Sequence, residues 1–316
     1  MSRRPARTAW RQVSLEEAKV SGLENLEERK LQEIEHSRRR RTILQGYERH
    51  IDTVAEEQVK DPSHLIRDPE AFKKHFSNIK FYSVTASSET YYQDWLRARC
   101  AGKRVLDYCC GSGENALFAT HCGGDTIGID ISPEGIENAR LNAAREGVEK
   151  TCKFEVMDAE ATRFPDSAFD VVVEYGALHH LDLNRAMREL RRIMKPDGEM
   201  ICIEALRHNP LIHFYRKMTP HLRTAWEVSH ILTVDDLARA RAYFREVDAR
   251  FFHLAALAAV PFRKTHWFHP LRRFLDRVDR VLLKNDWIGR YAWIMVFTLA
   301  KPRKQASGQS PATARA

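Results

Sequence analysis

At 316 residues, with 43% hydrophobic and 30% charged side chains, the chain can bury a sizeable core and falls outside the globally disordered class. A formal net charge of +8 leaves nucleic acid, an anionic membrane surface or an acidic substrate open as partners and selects none of them. The longest apolar runs, 251–262 and 291–300, fall short of the roughly 18–20 residues a membrane-spanning helix needs.

The opening segment, MSRRPARTAWRQVS, is Arg-rich without the apolar centre of a secretory signal. Residues 14–60 read as helical, with Ser14 and Glu17 forming a capping box and charges of both signs beyond it. The Arg run 38–41 reads more readily as a solvated helix face than as a nucleic-acid contact. Two Asp-Pro breaks in 61–70 and an aromatic-rich stretch follow, so residues 1–95 form a helical extension or lid.

From residue 104 strands and helices alternate, as parallel βαβ units require. The expected strands are 104–109, 125–130, 152–158, 169–175, 199–205, 243–252 and 291–300, with helices over 114–121, from 133, and over 184–195. Pro196-Asp197-Gly198 reads as the turn ending that last helix. The pattern is five parallel strands closed by a terminal antiparallel pair, over residues 96–303. Inserts at 207–242 and 255–289 face the substrate or an interface, and the tail 304–316 is expected to be disordered. The six cysteines, Cys100, Cys109, Cys110, Cys122, Cys152 and Cys202, contain no C-x-x-C pair and read as reduced thiols of a cytoplasmic protein.

After the first strand, GSGENA (111–116) fits the glycine-rich turn of a nucleotide-binding loop, and Asp130 ends the next strand. Alone this is a weak signal. Asp107 adds discrimination: a carboxylate there opposes a pyrophosphate and suits a cofactor carrying an ammonium group and a sulfonium. The chain here resembles the class I, Rossmann-like S-adenosylmethionine-dependent methyltransferases over about residues 80–206. Their first motif appears as Val105, Leu106, Asp107, Tyr108, Cys109, Cys110, Gly111, Ser112, Gly113. Cys109 replaces the first glycine, which is tolerable only with a negative φ at that residue.

The resemblance implies a seven-stranded, mostly parallel α/β sheet with a terminal antiparallel strand, S-adenosyl-L-methionine as cofactor and S-adenosyl-L-homocysteine as product. It implies that Asp130 takes the ribose hydroxyls beside Ile131, and that Asp158 and the backbone of Ala159 read the adenine. Glu174, Tyr175 and the lid residue Tyr82 then border the methionine end, with Tyr91 and Tyr92 as further lid aromatics. Candidate bases are His180, His179 and His208. The segment 204–237 also holds His213, His221 and His230 with Arg216 and Arg223, without the spacing of a metal site, and no metal is expected.

The leading expectation is methylation of a small apolar or amphiphilic molecule, at oxygen before carbon or nitrogen. An RNA or protein methyltransferase is the alternative, weakened by the lack of a recognisable RNA-binding module and of an Asn-Pro-Pro-Tyr tetrapeptide. A cofactor-binding scaffold is the third reading. The basic, Trp-bearing insert 255–289 is a candidate pocket roof, dimer face or peripheral membrane contact.

Overall fold

The computed structural model describes residues 26–43 and 68–303. The capping box at Ser14 and Glu17, and the tail 304–316, lie outside those residues, as does most of the expected 14–60 helix.

Alternation of side chains along the central strands builds two apolar layers at once. Strands β1 (Arg104–Tyr108), β4 (Phe169–Tyr175) and β5 (Met194–Ala205) point Val105, Val171, Val173, Ile201 and Ile203 to one face. Their neighbours Leu106, Val172, Met200 and Cys202 point to the other. Both faces are therefore buried, which is why these strands read as near-continuous apolar runs. With β2 (Asp125–Asp130), β3 (Cys152–Val156), β6 (Phe244–Phe252) and β7 (Ile294–Pro302), the sheet runs β3-β2-β1-β4-β5-β7-β6. β7 is antiparallel to both of its neighbours, and the first five strands are parallel. This is the Rossmann-like α/β fold with its antiparallel terminal strand.

The expected turn at Pro196–Gly198 is absorbed into β5. Its pairing with β4 jumps from Phe169↔Met194 to Val171↔Glu199, so the three residues form a bulge rather than a break. Strand order reverses between β1 and β4, the place where open α/β sheets bind ligands.

Five helices matter for the site. α1 (Glu28–Thr42) crosses the open ends of the strands. α5 (Glu114–His121) follows the β1 loop, after α2 (Pro69–His75), α3 (Ile79–Tyr82) and α4 (Ala86–Arg99). α6 (Pro133–Arg145) starts on a Ser132 cap that accepts from Gly135 N at 3.2 Å, with Pro133 in its first turn. α7 (Leu183–Ile193) precedes β5, and α8 (Pro210–Met218) follows it. Asn209 caps α8 through Ile212 N at 3.0 Å and donates to Tyr291 O at 2.8 Å, fixing that helix beside β7.

The basic insert is α11 (Phe268–Leu282), after α9 (Ala225–His230) and α10 (Asp235–Ala240). Asp279 anchors it by accepting from the backbone N–H groups of Leu254, Ala255 and Ala256 at 3.1, 2.6 and 3.0 Å. It exposes Phe274 and Val281, with Trp267 and Trp287 exposed at its flanks. None of its residues lines the cavity described below, so the expected pocket roof is not formed by this insert. No helix among the described residues is long and apolar enough to cross a membrane.

Candidate active site

A cavity of about 370 Å³ opens at the C-terminal ends of β1, β2 and β4, beneath α1. The β1 loop forms its floor, and the loop needs left-handed backbone three times: φ is +63° at Cys109, +56° at Gly111 and +88° at Gly113. The negative φ expected for Cys109 is thus corrected. The loop keeps the glycine-like conformation, and Cys109 bears the steric cost of a Cβ there. Its side chain is partly buried at the edge of the core beneath β1, and it lines the cavity. Cys109→Gly should therefore stabilise the fold by up to about 1 kcal/mol, the relief exceeding the added chain entropy; a lower melting temperature would refute this. Burial pushes both loop thiols up, all six cysteines are free, and the described residues contain no group of three metal-ligating side chains.

Asp130 sits on the cavity wall and ties two loops together. Its Oδ2 accepts from Gly111 N at 2.9 Å and its Oδ1 from Ser132 N at 2.8 Å, leaving lone pairs on a half-buried carboxylate. Ile131, Asp158, Ala159, Tyr175 and Tyr82 also line the cavity, Tyr82 packing edge-on against Trp293 at 5.5 Å. These acceptors suit vicinal hydroxyls and an exocyclic amine, with apolar walls at Ile131, Ala159 and Leu181. The residues present fit an adenosine-bearing cofactor. Ser112 and Gly113 lie within the loop rather than on the cavity wall.

Two expected contacts sit elsewhere. Asp107 is 1% exposed and lies under the loop, off the cavity lining, where its Oδ2 accepts from Ala116 N at 2.8 Å. Its role in this arrangement is to hold the start of α5 against β1. Burial pushes its pKa to about 8, with only the Ala116 N–H lowering it. A carboxyl whose native pKa is raised costs the folded state progressively as pH climbs from its ordinary value toward 8, up to about 1.4 kcal/mol per unit. Asp107→Asn should therefore leave stability unchanged near pH 4 and raise it near pH 9, as urea denaturation at the two pH values would read.

Glu174 is also buried and off the cavity. Its Oε1 accepts from Ala177 N and Leu178 N, the turn leading into the 3₁₀ segment Leu178–His180. Glu204, from β5, accepts from Leu178 N at 2.6 Å and meets His179 Nδ1 at 2.7 Å. Burial and the neighbouring Glu204 push Glu174 well up, so it is the neutral partner; Glu204, though buried, is held below its ordinary range by His179. The other ring nitrogen of His179, Nε2, lies 4.0 Å from Glu227, and the residue lines the cavity.

His180 differs. Its Nδ1 lies 3.0 Å from Glu33 of α1, and although burial lowers its pKa, Glu33, Glu227 and Glu204 raise it to about 9. The charged form of the ring is thereby favoured at neutral pH, which makes it a weaker candidate for the base than His179. His208 lies off the cavity, where burial and the charges of Arg290 and Arg207 lower its pKa. Tyr92 is a core residue edge-on to Tyr175 at 5.8 Å, and Tyr91 packs on Phe252.

Sequence reasoning missed the charges that close α1 over the cavity. Lys30 Nζ meets Asp158 Oδ2 at 2.6 Å and Glu160 Oε2 at 2.9 Å; Arg29 meets Glu160 at 2.8 Å and donates to His180 O at 3.0 Å. Arg38 Nε meets Glu134 at 2.8 Å, and Glu33 accepts from Thr224. The His180–Glu33 contact stabilises the closed helix fully below the ordinary histidine value and loses that contribution as pH rises through about 9. Glu33, held low despite burial, loses its share only in acid. Amide-exchange protection of residues 28–42 should fall between pH 8 and 10, and Glu33→Gln should abolish that step.

Residues 106–202 match the family described as Methyltransferase domain. Over 162 residues, 51% of this chain, the sequence is 33% identical to an "Uncharacterized methyltransferase YcgJ" of Bacillus subtilis, of which it covers 63%. Over 107 residues, 33% of the chain, it is 36% identical to a "Demethylmenaquinone methyltransferase" of Thermus thermophilus, of which it covers 48%. The chain thus spans less than two thirds of either relative. A solved structure, geranyl diphosphate C-methyltransferase from Streptomyces coelicolor, superposes with a TM-score of 0.52 at 13% identity, over 88% of this chain and 100% of that one. That likeness concerns the fold.

Proposed function

We propose that this chain, a member of the class I S-adenosylmethionine-dependent methyltransferases, transfers a methyl group to a hydroxyl or acidic carbon of a small amphiphilic molecule. When bound, the cofactor S-adenosyl-L-methionine supplies an electrophilic methyl on a sulfonium. Asp130 would hold its ribose hydroxyls and Asp158 its adenine amino group, with Ile131 and Ala159 against the ring. Asp158 is shared with Lys30, so α1 must give way at that end or rearrange as the cofactor enters.

The observation that carries the acceptor reading is His179 on the cavity wall with the buried Glu204 behind it at 2.7 Å. A buried carboxylate fixes the tautomer and orientation of the ring, and Nε2 takes the proton as the acceptor oxygen or carbon attacks. The base is thus His179, with Glu204 and Glu174 as positioning residues. An amine acceptor has less need of this arrangement, which favours a hydroxyl. The remaining wall, with Phe76, Tyr82, Ile203, Leu222 and Ile294, suits an apolar body. Curated relatives include a "27-O-demethylrifamycin SV methyltransferase" and a "Ribosomal protein L11 methyltransferase", so similarity alone does not choose between small-molecule and protein acceptors.

The test is thermal stabilisation by S-adenosyl-L-homocysteine, followed by incubation with S-adenosyl-L-methionine and a metabolite extract. Cofactor turnover with a small molecule gaining one methyl mass supports the reading. Turnover only on added protein or RNA would sink it, and tight binding without turnover would favour a scaffold.

A further inference from the structure

An annex of about 100 Å³ adjoins the main cavity and shares Asn78, Tyr82, His179, Ala205, Arg223 and Glu227 with its wall. Phe81, Ile212, Ile231 and Trp293 give it an apolar side, and Arg216 closes it opposite. α8 delivers Arg216 because its Asn209 cap and the Tyr291 carbonyl hold that helix in place. Nη1 of Arg216 donates to Leu206 O at 2.9 Å, the one hydrogen bond its side chain makes to a described residue. A guanidinium carries five N–H donors, so the rest of its fork is unused.

Arg223 is the second cation. Its Nη1 donates to Thr219 O at 3.2 Å and its Nε lies 3.2 Å from Glu227 Oε1. Of the two half-buried guanidiniums only Arg223 is paired with a carboxylate, Glu227, which also faces the His179 ring at 4.0 Å, and Arg216 has no ion pair among the described residues. Burial and the charge of Arg223 lower Arg216 to about 10, so it stays cationic at neutral pH and in surplus. Like charges held together with unused donors, facing an enclosed space, are costly unless an anion completes them.

We propose that this annex is the anion subsite of the acceptor, binding a carboxylate or phosphate group between Arg216 and Arg223. The planar fork of Arg216 suits two oxygens at once. An acceptor anchored there extends along the shared wall to His179, with its apolar part against Ile231 and Trp293. Calling the ligand the acceptor rests on the methyl-transfer reading above; the anion site itself does not.

The experiment is calorimetric titration of phenyl phosphate and of benzoate into the full chain, with and without saturating S-adenosyl-L-homocysteine. Saturable binding of either probe is expected, weakened at least tenfold by Arg216→Gln and by Arg223→Gln, with S-adenosyl-L-homocysteine affinity unchanged. Arg216→Lys, which keeps the charge and loses the fork, should fall between and guards against a folding defect. Tighter phenyl phosphate assigns a phosphate ester, and tighter benzoate a carboxylate. Absence of saturable binding, or equal weakening by the exposed-site control Arg273→Gln, overturns the subsite. Failure of S-adenosyl-L-homocysteine to bind would sink the methyl-transfer reading instead, while the anion titration is still read without it.

Discussion

Replacing His179 by alanine is expected to slow methyl transfer by about 10²–10⁴-fold while changing S-adenosyl-L-homocysteine affinity only a few-fold, the range a positioned general base supplies. The split follows from geometry. His179 lines the cavity and its annex together, and its Nδ1 is engaged by a carboxylate that is 1% exposed. Glu204→Gln keeps a hydrogen-bond acceptor for Nδ1–H and removes the charge, so it should cost less, roughly 10–10²-fold in kcat with little change in KM. His180→Asn serves as the contrast: its ring favours the charged form and is bound to Glu33, so the rate should depend on α1 closure and not on a base. The readout is single-turnover methyl transfer to the acceptor-containing extract fraction. Equal losses for His179→Ala and His180→Asn would mean that neither ring acts as the base. Loss of cofactor affinity in His179→Ala would mean that the ring serves the fold.

The sheet was readable because its central strands are short, near-continuous apolar runs alternating with helical segments, and because the acids Asp130 and Asp158 end or closely follow β2 and β3 on one side. Asp107 was assigned to the cofactor by the same argument, and there the pattern ran ahead of the geometry. A residue inside a strand end alternates between cavity and interior, and Asp107 falls on the interior side, under Ala116 N. Cys109 shows the complementary limit. Its identity argued for ordinary backbone, yet Cys110 N must reach Ile129 O at 2.8 Å, and that pairing imposes the left-handed residue before it. The Glu204–His179 pair was half legible, since an acid inside the apolar run ICIEA is anomalous unless it is paired. The α1 closure was beyond local reading, because Lys30 and Asp158 are 128 positions apart and their charges look like any solvated pair.

Asp130→Ala is expected to have the largest effect on cofactor binding, a loss of about 10²-fold or more, together with about 2–5 kcal/mol of stability. Both losses have one origin. The carboxylate accepts from Gly111 N and Ser132 N, and both residues are buried, so alanine leaves two donors short of a protein partner. The Gly111 donor belongs to the loop that floors the cavity, and the Ser132 donor lies at the cap of α6, so the two walls lose their tie. Asp130→Asn separates the terms. One amide oxygen can still accept, whereas the amide nitrogen faces a backbone N–H it cannot satisfy, so a smaller stability loss should accompany nearly the full affinity loss. Ser132→Ala removes only the helix cap, about 1 kcal/mol, and should leave affinity nearly intact. Titration of S-adenosyl-L-homocysteine at a temperature where all three variants are folded measures affinity apart from stability. An unchanged dissociation constant in Asp130→Ala would remove this carboxylate from the ribose site and with it the strongest support for where the cofactor lies.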